Sequence, residues 1–274
     1  MKRFSLFLLL GLLLVSLFLF SGCTGPEAGI KIGIMQILDH TALNAARDSF
    51  IEALSDEGFV EGDNITLDIQ NAHGEITTAS TIAEGFVADK VDLILAIATP
   101  TAQAAYNATK DIPIVITAVT DPVSTGLAES LERPGANVTG THDMNPVKLQ
   151  LELLLEIIPE ATRIGVIFNS SEENSVIQVG ILEEEISQAG LTLIKAPVTA
   201  TGDVLTAAES LVGEVDAIYV PTDNTAVSAI DSVLQVSEEH LIPVIAGEDS
   251  CVRNGALATI GIDYSVLGYQ TGLM

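Results

Sequence analysis

"VDLILAIATPTAQAA", from Val91 to Ala105, and "VDAIYVPTDNTAVSA", from Val215 to Ala229, are two versions of one pattern. Each begins with Val-Asp, continues as an apolar run of strand length, breaks at polar residues and then becomes rich in small residues at helical spacing. A short apolar run followed by a helix is typical of a strand buried on both faces of a parallel sheet. The pair therefore predicts two copies of one α/β unit.

Matching segments on either side of these stretches extend the repeat. "RIGVIFN" from Arg163 corresponds to "KIGIMQI" from Lys31, and "IPVIAGED" from Ile242 corresponds to "IPIVITAV" from Ile112. Strands that alternate with helices indicate a parallel sheet covered on both faces, and a repeat of this length has the size of a domain. The predicted fold class is therefore α/β, with two similar doubly wound parallel-sheet lobes.

The N-terminal segment has the features of an export signal. A basic start, "MKR", precedes an apolar run from Phe4 to Phe20, and the run ends in "SGC" at Cys23. This order predicts a signal peptide over residues 1–22, a lipidated Cys23 and a linker over residues 23–29. An uncleaved membrane anchor is the alternative, because the apolar run is almost long enough to span a bilayer. Either one holds an exported protein at the outer face of the cytoplasmic membrane.

Composition excludes several classes of function. With 37 acidic and 11 basic residues the net charge is −26, so the surface repels nucleic acid. The 2 cysteines and 4 histidines fit no zinc spacing, and the chain has no GxGxxG or GxxxxGK loop. No nucleophile elbow of the GxSxG type occurs. We therefore expect no cofactor, no metal, no nucleic-acid partner and no catalytic residue.

Polar residues follow the predicted strands at the edge where open parallel sheets bind ligands. Some of these residues, such as Thr99 and Asp223, stand where a helix begins. They are suited to capping the helix, and the free amides of the same helix start are suited to binding a ligand carboxylate; both interpretations stay open. Acidic residues gather in these loops and basic ones are nearly absent. This balance favours a small ligand that carries an ammonium group over one that carries phosphate. His40 is expected to be a donor or capping residue rather than a base.

Several stretches together resemble a known family. "DHTALNAARDSFIEAL", "IPIVITAVTDPVSTGL", "RPGANVTGTHDM", "GVIFNSSEENSV" and "GALATIGIDYSVLGYQTG" are similar to the ABC transporter substrate-binding lipoproteins linked to uptake of tryptophan and related aromatic amino acids. The resemblance implies a type I periplasmic-binding fold whose lobes close about hinge segments near His142 and Ile262. It divides the chain into an N-terminal lobe, residues 30–142 plus 263–274, and a C-terminal lobe, residues 143–262.

Candidate ligand-binding residues follow from the strand ends and from the family motifs. We expect amides and hydroxyls of Thr99, Thr101 and Ser175 to bind the carboxylate of an amino acid, and Asp223 or Glu248 to bind its ammonium. The full predicted set is His40, Thr99, Pro100, Thr101, Thr120, Asp121, Asn169, Ser170, Glu173, Asn174, Ser175, Thr222, Asp223, Asn224 and Glu248.

The resulting hypothesis is an extracytoplasmic solute-binding component of an ABC uptake transporter. It would capture an aromatic or branched amino acid between its lobes and deliver it to a permease driven by ATPase subunits. The alternative is a sensor domain that binds a ligand and signals to a membrane partner. The resemblance also implies a chain that continues past Met274, and we expect an exposed apolar surface on the first lobe near that residue.

Overall fold

The computed structural model describes residues 29–274, which form two parallel sheets. The first sheet has the order β2-β1-β3-β4-β5 and the second the order β7-β6-β8-β9, and every pair of neighbouring strands is parallel. The strands are β1 (Ile30–Gln36), β2 (Ile65–Asn71), β3 (Leu93–Ile97), β4 (Ile114–Val119), β5 (Val138–His142), β6 (Arg163–Asn169), β7 (Thr192–Val198), β8 (Ala217–Val220) and β9 (Val244–Ala246). The predicted pair of doubly wound lobes is confirmed.

Helices connect the strands and cover both sheets. They are α1 (Thr41–Asp56), α2 (Ile76–Ala88), α3 (Thr99–Ala108), α4 (Val147–Ile157), α5 (Glu173–Gln188), α6 (Val204–Ser210), α7 (Asn224–Ser228), α8 (Ile230–His240), α9 (Asp249–Asn254) and α10 (Tyr264–Gly272). A short 3₁₀ turn, Thr201–Asp203, precedes α6. The repeated stretch thus becomes β3 and α3 in one lobe and β8 and α7 in the other.

Burial explains why the central strands read as continuous apolar runs. All residues of β4 and β8 are buried, whereas the edge strands β2 and β7 are mostly half-buried or exposed. A strand covered by helices on both faces needs apolar side chains at every position, but an edge strand commonly meets solvent. The short edge strand β9 is an exception, because all three of its residues are buried.

The last helix, α10, returns to the first lobe. Tyr264 and Leu267 belong to the same apolar core as β1, β3 and β4, and α10 packs closely against α1. At Gly268 the two helices are so close that a Cβ atom would lie 2.0 Å from the carbonyl oxygen of Ala46. Only glycine fits this contact without moving the helices apart.

Within residues 29–274, the chain passes between the lobes after β5 and again before α10. At the first crossing, the amide of Asp143 donates to the carbonyl of Val119 at 3.1 Å. The hydroxyl of Tyr264, at the second crossing, donates to Oδ2 of Asp143 at 2.7 Å. This bond joins the two crossings beside the predicted hinge segments.

Other sequence predictions concern the two ends of the chain. The signal peptide and Cys23 lie outside the described residues. Within residues 29–274, the helices are all too short or too polar to cross a membrane. On the first lobe, an apolar groove of about 410 Å³ lies between the end of α1 and the end of α10, where an exposed apolar surface was expected, and Phe59, Leu273 and Met274 line part of it.

Candidate functional site

The carboxyl ends of the two sheets face each other across a narrow cleft. Near the two chain crossings the cleft contains a cavity of about 10 Å³, which we call the hinge cavity. This volume is about what one water molecule needs, so the lobes stand in a closed arrangement. Both lobes and both crossings contribute to its lining, which consists of His40, Leu43, Ala118, Thr120, Asp143, Asn174, Thr222, Asn224, Glu248 and Tyr264.

A second cavity, of about 190 Å³, lies between the lobes, and we call it the outer cavity. Part of its wall is apolar, from Ile37, Ile76 and Pro100, and the remainder is polar. Its full lining is Ile37, Gly74, Glu75, Ile76, Thr77, Pro100, Asn169, Ser171, Glu172 and Thr199. The cleft therefore combines a small polar space near the hinge with a larger, partly apolar one.

The structure brings many of the predicted site residues together, and most of these line the hinge cavity. The predicted residues at the hinge cavity are His40, Thr120, Asn174, Thr222, Asn224 and Glu248. Pro100 and Asn169 line the outer cavity instead. Asn174, Thr222 and Glu248 are each less than 10 % exposed, so their polar atoms are withdrawn from bulk solvent.

Other predicted residues use their side chains within their own lobe. The hydroxyl of Thr101 donates to the carbonyls of Ile97 at 2.6 Å and Ala98 at 2.9 Å, and the hydroxyl of Thr99 accepts from the amide of Thr120 at 3.4 Å. The carboxylate of Asp121 closes its own turn by accepting from the hydroxyl of Ser124 at 2.6 Å. These side chains order the edge of the first lobe.

In the second lobe, Ser170 is exposed, and the hydroxyl of the buried Ser175 accepts from Nδ2 of Asn174 at 3.3 Å. Glu173 is exposed at the rim, where its carboxylate accepts a hydrogen bond from Nε2 of Gln103 in the first lobe. This bond connects the lobes at the mouth of the cleft, away from the hinge.

Asp223 has a different environment from the one we expected for an ammonium ligand. Its side chain is completely buried, with Oδ1 accepting from the amide of Ala226 at 2.7 Å and Oδ2 from the amide of Asn169 at 2.5 Å. It lines neither cavity. Burial, with the nearby charge of Glu172, raises the pKa of Asp223 to about 7. Asp223 therefore caps α7 and accepts a hydrogen bond from the backbone at the end of β6.

The hinge cavity contains buried polar atoms that lack partners. Within residues 29–274, no hydrogen bond of good geometry reaches either ring nitrogen of His40, Oδ1 of Asp143 or Oδ1 of Asn174. The side chain of Asn224 lies close enough to His40, and that of Thr120 to Asp143, to affect their pKa values without completing such a bond. Leaving a buried polar atom unpaired costs about 1–3 kcal/mol, and such atoms in native proteins have a reason. Their convergence on one cavity points to a polar ligand that supplies the missing partners.

Two buried acidic side chains, Asp143 and Glu248, line the hinge cavity. Burial raises the pKa of Glu248 to about 8, and the nearby Asp143 and Asp249 raise it further against the hydrogen bond from Ser250. Burial also raises the pKa of Asp143. The lining residues of the hinge cavity include no lysine or arginine that could balance these two acids. A positively charged group in the cavity would favour the ionised form of both acids, so the cavity is suited to such a group.

His40 is neutral at physiological pH, because burial lowers its pKa to about 4. A neutral imidazole has one nitrogen that accepts and one that donates. At the hinge cavity it can therefore accept from an ammonium with one nitrogen and donate to an oxygen with the other. His40 occupies the N-cap position of α1, where its side chain makes no capping hydrogen bond.

Sequence reasoning missed Asp143, Tyr264 and Glu172 as parts of the site. Asp143 directly follows the end of β5, so its position after a strand was a usable signal, whereas Tyr264 is brought to the cavity by the return of α10. Glu172 is 3 % exposed, and both its oxygens accept hydrogen bonds from the second lobe. Its neighbour Glu173 was chosen instead, although the structure leaves Glu173 at the rim.

Comparisons with known proteins agree with this architecture. The family model described as "ABC transporter substrate binding protein" matches residues 31–274. A tyrosine-binding protein of Clostridioides difficile (strain R20291) is 50 % identical over 242 residues, which are 88 % of this chain and 70 % of that protein. Solved structures confirm a type I periplasmic-binding fold. One of them is a solute-binding protein from Bacillus halodurans with bound myo-inositol, which gives a TM-score of 0.66 at 19 % identity. The match covers 91 % of this chain and 88 % of that chain.

Two solved relatives identify the arrangement of the lobes. The Streptococcus pneumoniae ABC domain in complex with L-Trp is 35 % identical and gives a TM-score of 0.86, covering 89 % of this chain and 83 % of that chain. The ligand-free, open structure of a Clostridium difficile substrate-binding protein is 50 % identical, with the same coverages, but its TM-score is only 0.64. Because the less similar sequence gives the better superposition, the lobes stand as in the L-Trp complex.

Proposed function

The chain belongs to the ABC transporter substrate-binding protein family, and on that premise we propose that it captures an aromatic amino acid between its lobes. The observation that carries this proposal is the set of buried, unpartnered atoms of His40, Asp143 and Asn174 at one acidic cavity. The family consists of binding proteins rather than enzymes, in keeping with the expected lack of catalytic activity.

The amino group of the ligand lies at the hinge cavity in this proposal. An ammonium has three N–H donors, and Oδ1 of Asp143, Oδ1 of Asn174 and one nitrogen of neutral His40 are acceptors without partners in residues 29–274. Glu248, whose pKa is about 8 without ligand, gives up its proton when an ammonium is bound beside it, because the ammonium balances the buried charge. Hydrogen bonds to charged groups contribute about 1.5–3 kcal/mol, so this end supplies much of the affinity.

The remainder of the ligand extends toward the outer cavity. The side chains of Ile37, Ile76 and Pro100 provide apolar surface for an aromatic ring, and Thr77 and Thr199 provide polar groups near it. The ligand carboxylate lies against the start of α3, where the helix dipole is positive and no side chain of the described chain caps the helix. Two relatives support an aromatic ligand, since one is a tyrosine-binding protein and another was solved with L-Trp.

The transporter role follows from the family and from the predicted export signal. Substrate-binding proteins of ABC transporters act outside the cytoplasm. We propose that the closed, ligand-bound form docks on a permease whose ATPase subunits drive uptake, and that a lipid on Cys23 holds the protein at the membrane. Metabolic labelling with a radioactive fatty acid should mark the membrane-bound protein, and Cys23→Ser should remove the label. A membrane-bound protein that takes up no label even with Cys23 present would favour an uncleaved anchor.

Isothermal titration calorimetry and thermal shift test the ligand class. L-tyrosine, L-tryptophan and L-phenylalanine should raise the melting temperature, because a ligand at about 100 times its Kd stabilises the folded state by about 2.7 kcal/mol. Tyramine, which lacks the carboxylate, and 3-(4-hydroxyphenyl)propionate, which lacks the ammonium, are the matched controls and should bind much more weakly. If no amino acid binds, the proposal is wrong.

A further inference from the structure

Glu172 accepts hydrogen bonds from a large number of groups although it lines no part of the hinge cavity. Its Oε2 accepts from Nδ2 of Asn224, from the amide of Asn224 at 3.2 Å and from Nδ2 of Asn174 at 3.5 Å. Its Oε1 accepts from the hydroxyl of Thr225 at 2.7 Å, from the amide of Thr225 at 3.2 Å and from Nδ2 of Asn169 at 3.3 Å. A buried carboxylate with this many donors has one fixed position.

The consequence for Asn174 is a fixed orientation of its side-chain amide. Nδ2 donates toward Glu172, toward the hydroxyl of Ser175 at 3.3 Å and toward the carbonyl of Thr222 at 3.1 Å. Rotation of the amide by 180° would bring Oδ1 against the carboxylate of Glu172 and the carbonyl of Thr222, which accept hydrogen bonds but cannot donate them. Oδ1 therefore faces away from these groups, and it is the atom left without a partner beside the hinge cavity.

We propose that Glu172 is a positioning residue that selects for the amino group of the ligand, by holding the Asn174 amide with Oδ1 toward the hinge cavity. This inference rests on the proposed function. Glu172 lines the outer cavity, but its effect on the amino group passes through Asn174. It determines whether the hinge cavity presents an acceptor or a donor at this position. An acceptor matches an ammonium, whereas a donor would repel it.

The negative charge of Glu172 is needed for this role, because both its oxygens receive donors. A glutamine in its place carries an NH₂ group where one of the two oxygens was. In one orientation this NH₂ group faces the donors of Asn174 and Asn224, and in the other it faces the donors of Asn169 and Thr225. At least one set of donors then loses its acceptor. Where the NH₂ group faces Asn174, the carbonyl of Thr222 at 3.1 Å is left to hold the orientation of the amide, which is therefore weakened. The effect should be selective for ligands that carry an ammonium.

The test is Glu172→Gln, with Glu184→Gln as the matched control. Glu184 lies on α5, is exposed and undergoes the same change of charge far from the cavity. Calorimetry with L-tyrosine should show Kd raised at least tenfold in Glu172→Gln and unchanged in Glu184→Gln. For 3-(4-hydroxyphenyl)propionate, measured by competition with L-tyrosine, Kd should change less than threefold. An equal rise in Kd for L-tyrosine and for 3-(4-hydroxyphenyl)propionate would mean that Glu172 has only a structural role. The inference would also be overturned if the unaltered protein bound these two ligands with equal affinity.

A second measurement does not depend on the ligand. The side-chain amide signals of Asn174 in ¹⁵N–¹H spectra, assigned with Asn174→Asp, should shift and exchange faster with solvent in Glu172→Gln but not in Glu184→Gln. Unchanged signals would overturn the inference even if tyrosine binding were weakened. If the unaltered protein binds no amino acid, the proposed function fails, and these spectra still decide whether Glu172 orients Asn174.

Discussion

The two versions of the repeated stretch have opposite electrostatic character where they meet the cleft. In the first lobe, α3 begins after Ala98 without a capping side chain in the described chain, and Pro100 follows at the start of the helix. In the second lobe, α7 is capped by Asp223, and Glu172 accepts from the amides of Asn224 and Thr225. One helix start can therefore receive a ligand carboxylate, while the amides of the other are already occupied by two carboxylates of the protein.

This difference shows how two similar lobes can bind a ligand with two unlike ends. The four strands of the second sheet follow the same order as the first four strands of the first sheet, which has a fifth strand in addition. Both lobes place a helix after the same strand. Changes at a few positions leave the start of α3 in the first lobe uncapped by a side chain and place buried acids at the start of α7 in the second. The two lobes therefore share their architecture but differ in the charged groups that they present to the cleft.

The largest expected effect of a substitution at the repeated positions is that of Asp223→Ala. It removes the cap of α7 and leaves the buried amides of Ala226 and Asn169 without acceptors, which should lower the free energy of unfolding by about 2–3 kcal/mol. The corresponding change in the first lobe, Thr99→Ala, should cost less than about 1 kcal/mol, because that side chain accepts only one long bond at 3.4 Å. Urea unfolding of both variants checks the comparison, and equal losses would contradict it.

The second prediction concerns pH and the acids of the second lobe. The pKa of Glu248 is about 8 in the folded protein, against about 4.3 in an unfolded chain, so the folded state binds more protons between these values. The stability from protonated Glu248 is complete below about pH 4 and is lost as the pH rises through about 8. Asp223, with a pKa of about 7, acts in the same direction.

Melting temperatures measured without ligand from pH 5 to pH 8.5 check this dependence. They should fall as the pH rises, and the fall should be smaller in Glu248→Gln, which stays neutral throughout. Glu184→Gln, with an exposed side chain, is the control and should follow the unaltered protein. If the Glu248→Gln and control profiles are parallel, Glu248 does not take up a proton on folding.

The smallest expected effect concerns the backbone of the two helix starts. Ala98 has φ of 83°, a conformation that costs a residue with a Cβ atom about 1–3 kcal/mol, and Thr222, its counterpart in the repeat, is not among the residues with positive φ. Ala98→Gly should therefore stabilise the protein by about 0.5–1 kcal/mol, whereas Thr222→Gly should destabilise it. Thermal unfolding of the two variants checks the signs, and a destabilised Ala98→Gly would show that the strain is absent.

Much of the fold could be predicted from the sequence because it depends on local patterns. Apolar runs identified the buried strands, and the repeat identified the two lobes. The family resemblance is confirmed by the match over residues 31–274. The division of the second helix was not predictable, because α7 ends at Ser228 and α8 begins at Ile230, whereas α3 continues without a break to Ala108. No glycine or proline marks that break.

The site was less predictable because its side chains are oriented by tertiary contacts. Glu172 and Glu173 are identical in type and adjacent, but Glu172 precedes α5 in an extended conformation and points inward, and Glu173 begins the helix at the rim. A difference of one residue in the helix start decides which carboxylate is buried. Sequence showed that acids gather at the cleft, and only the packing could show which of them face the cavity.

Asp143 has one further consequence, which is mechanical. One oxygen of its carboxylate holds Tyr264, so that the two chain crossings are tied together, and the other oxygen is unpartnered beside the hinge cavity. In the closure expected about the two hinge segments, the axis of rotation would pass close to the group proposed to hold the ligand's amino end. Gln103 and Glu173, which meet at the rim, would then move much further than Asp143.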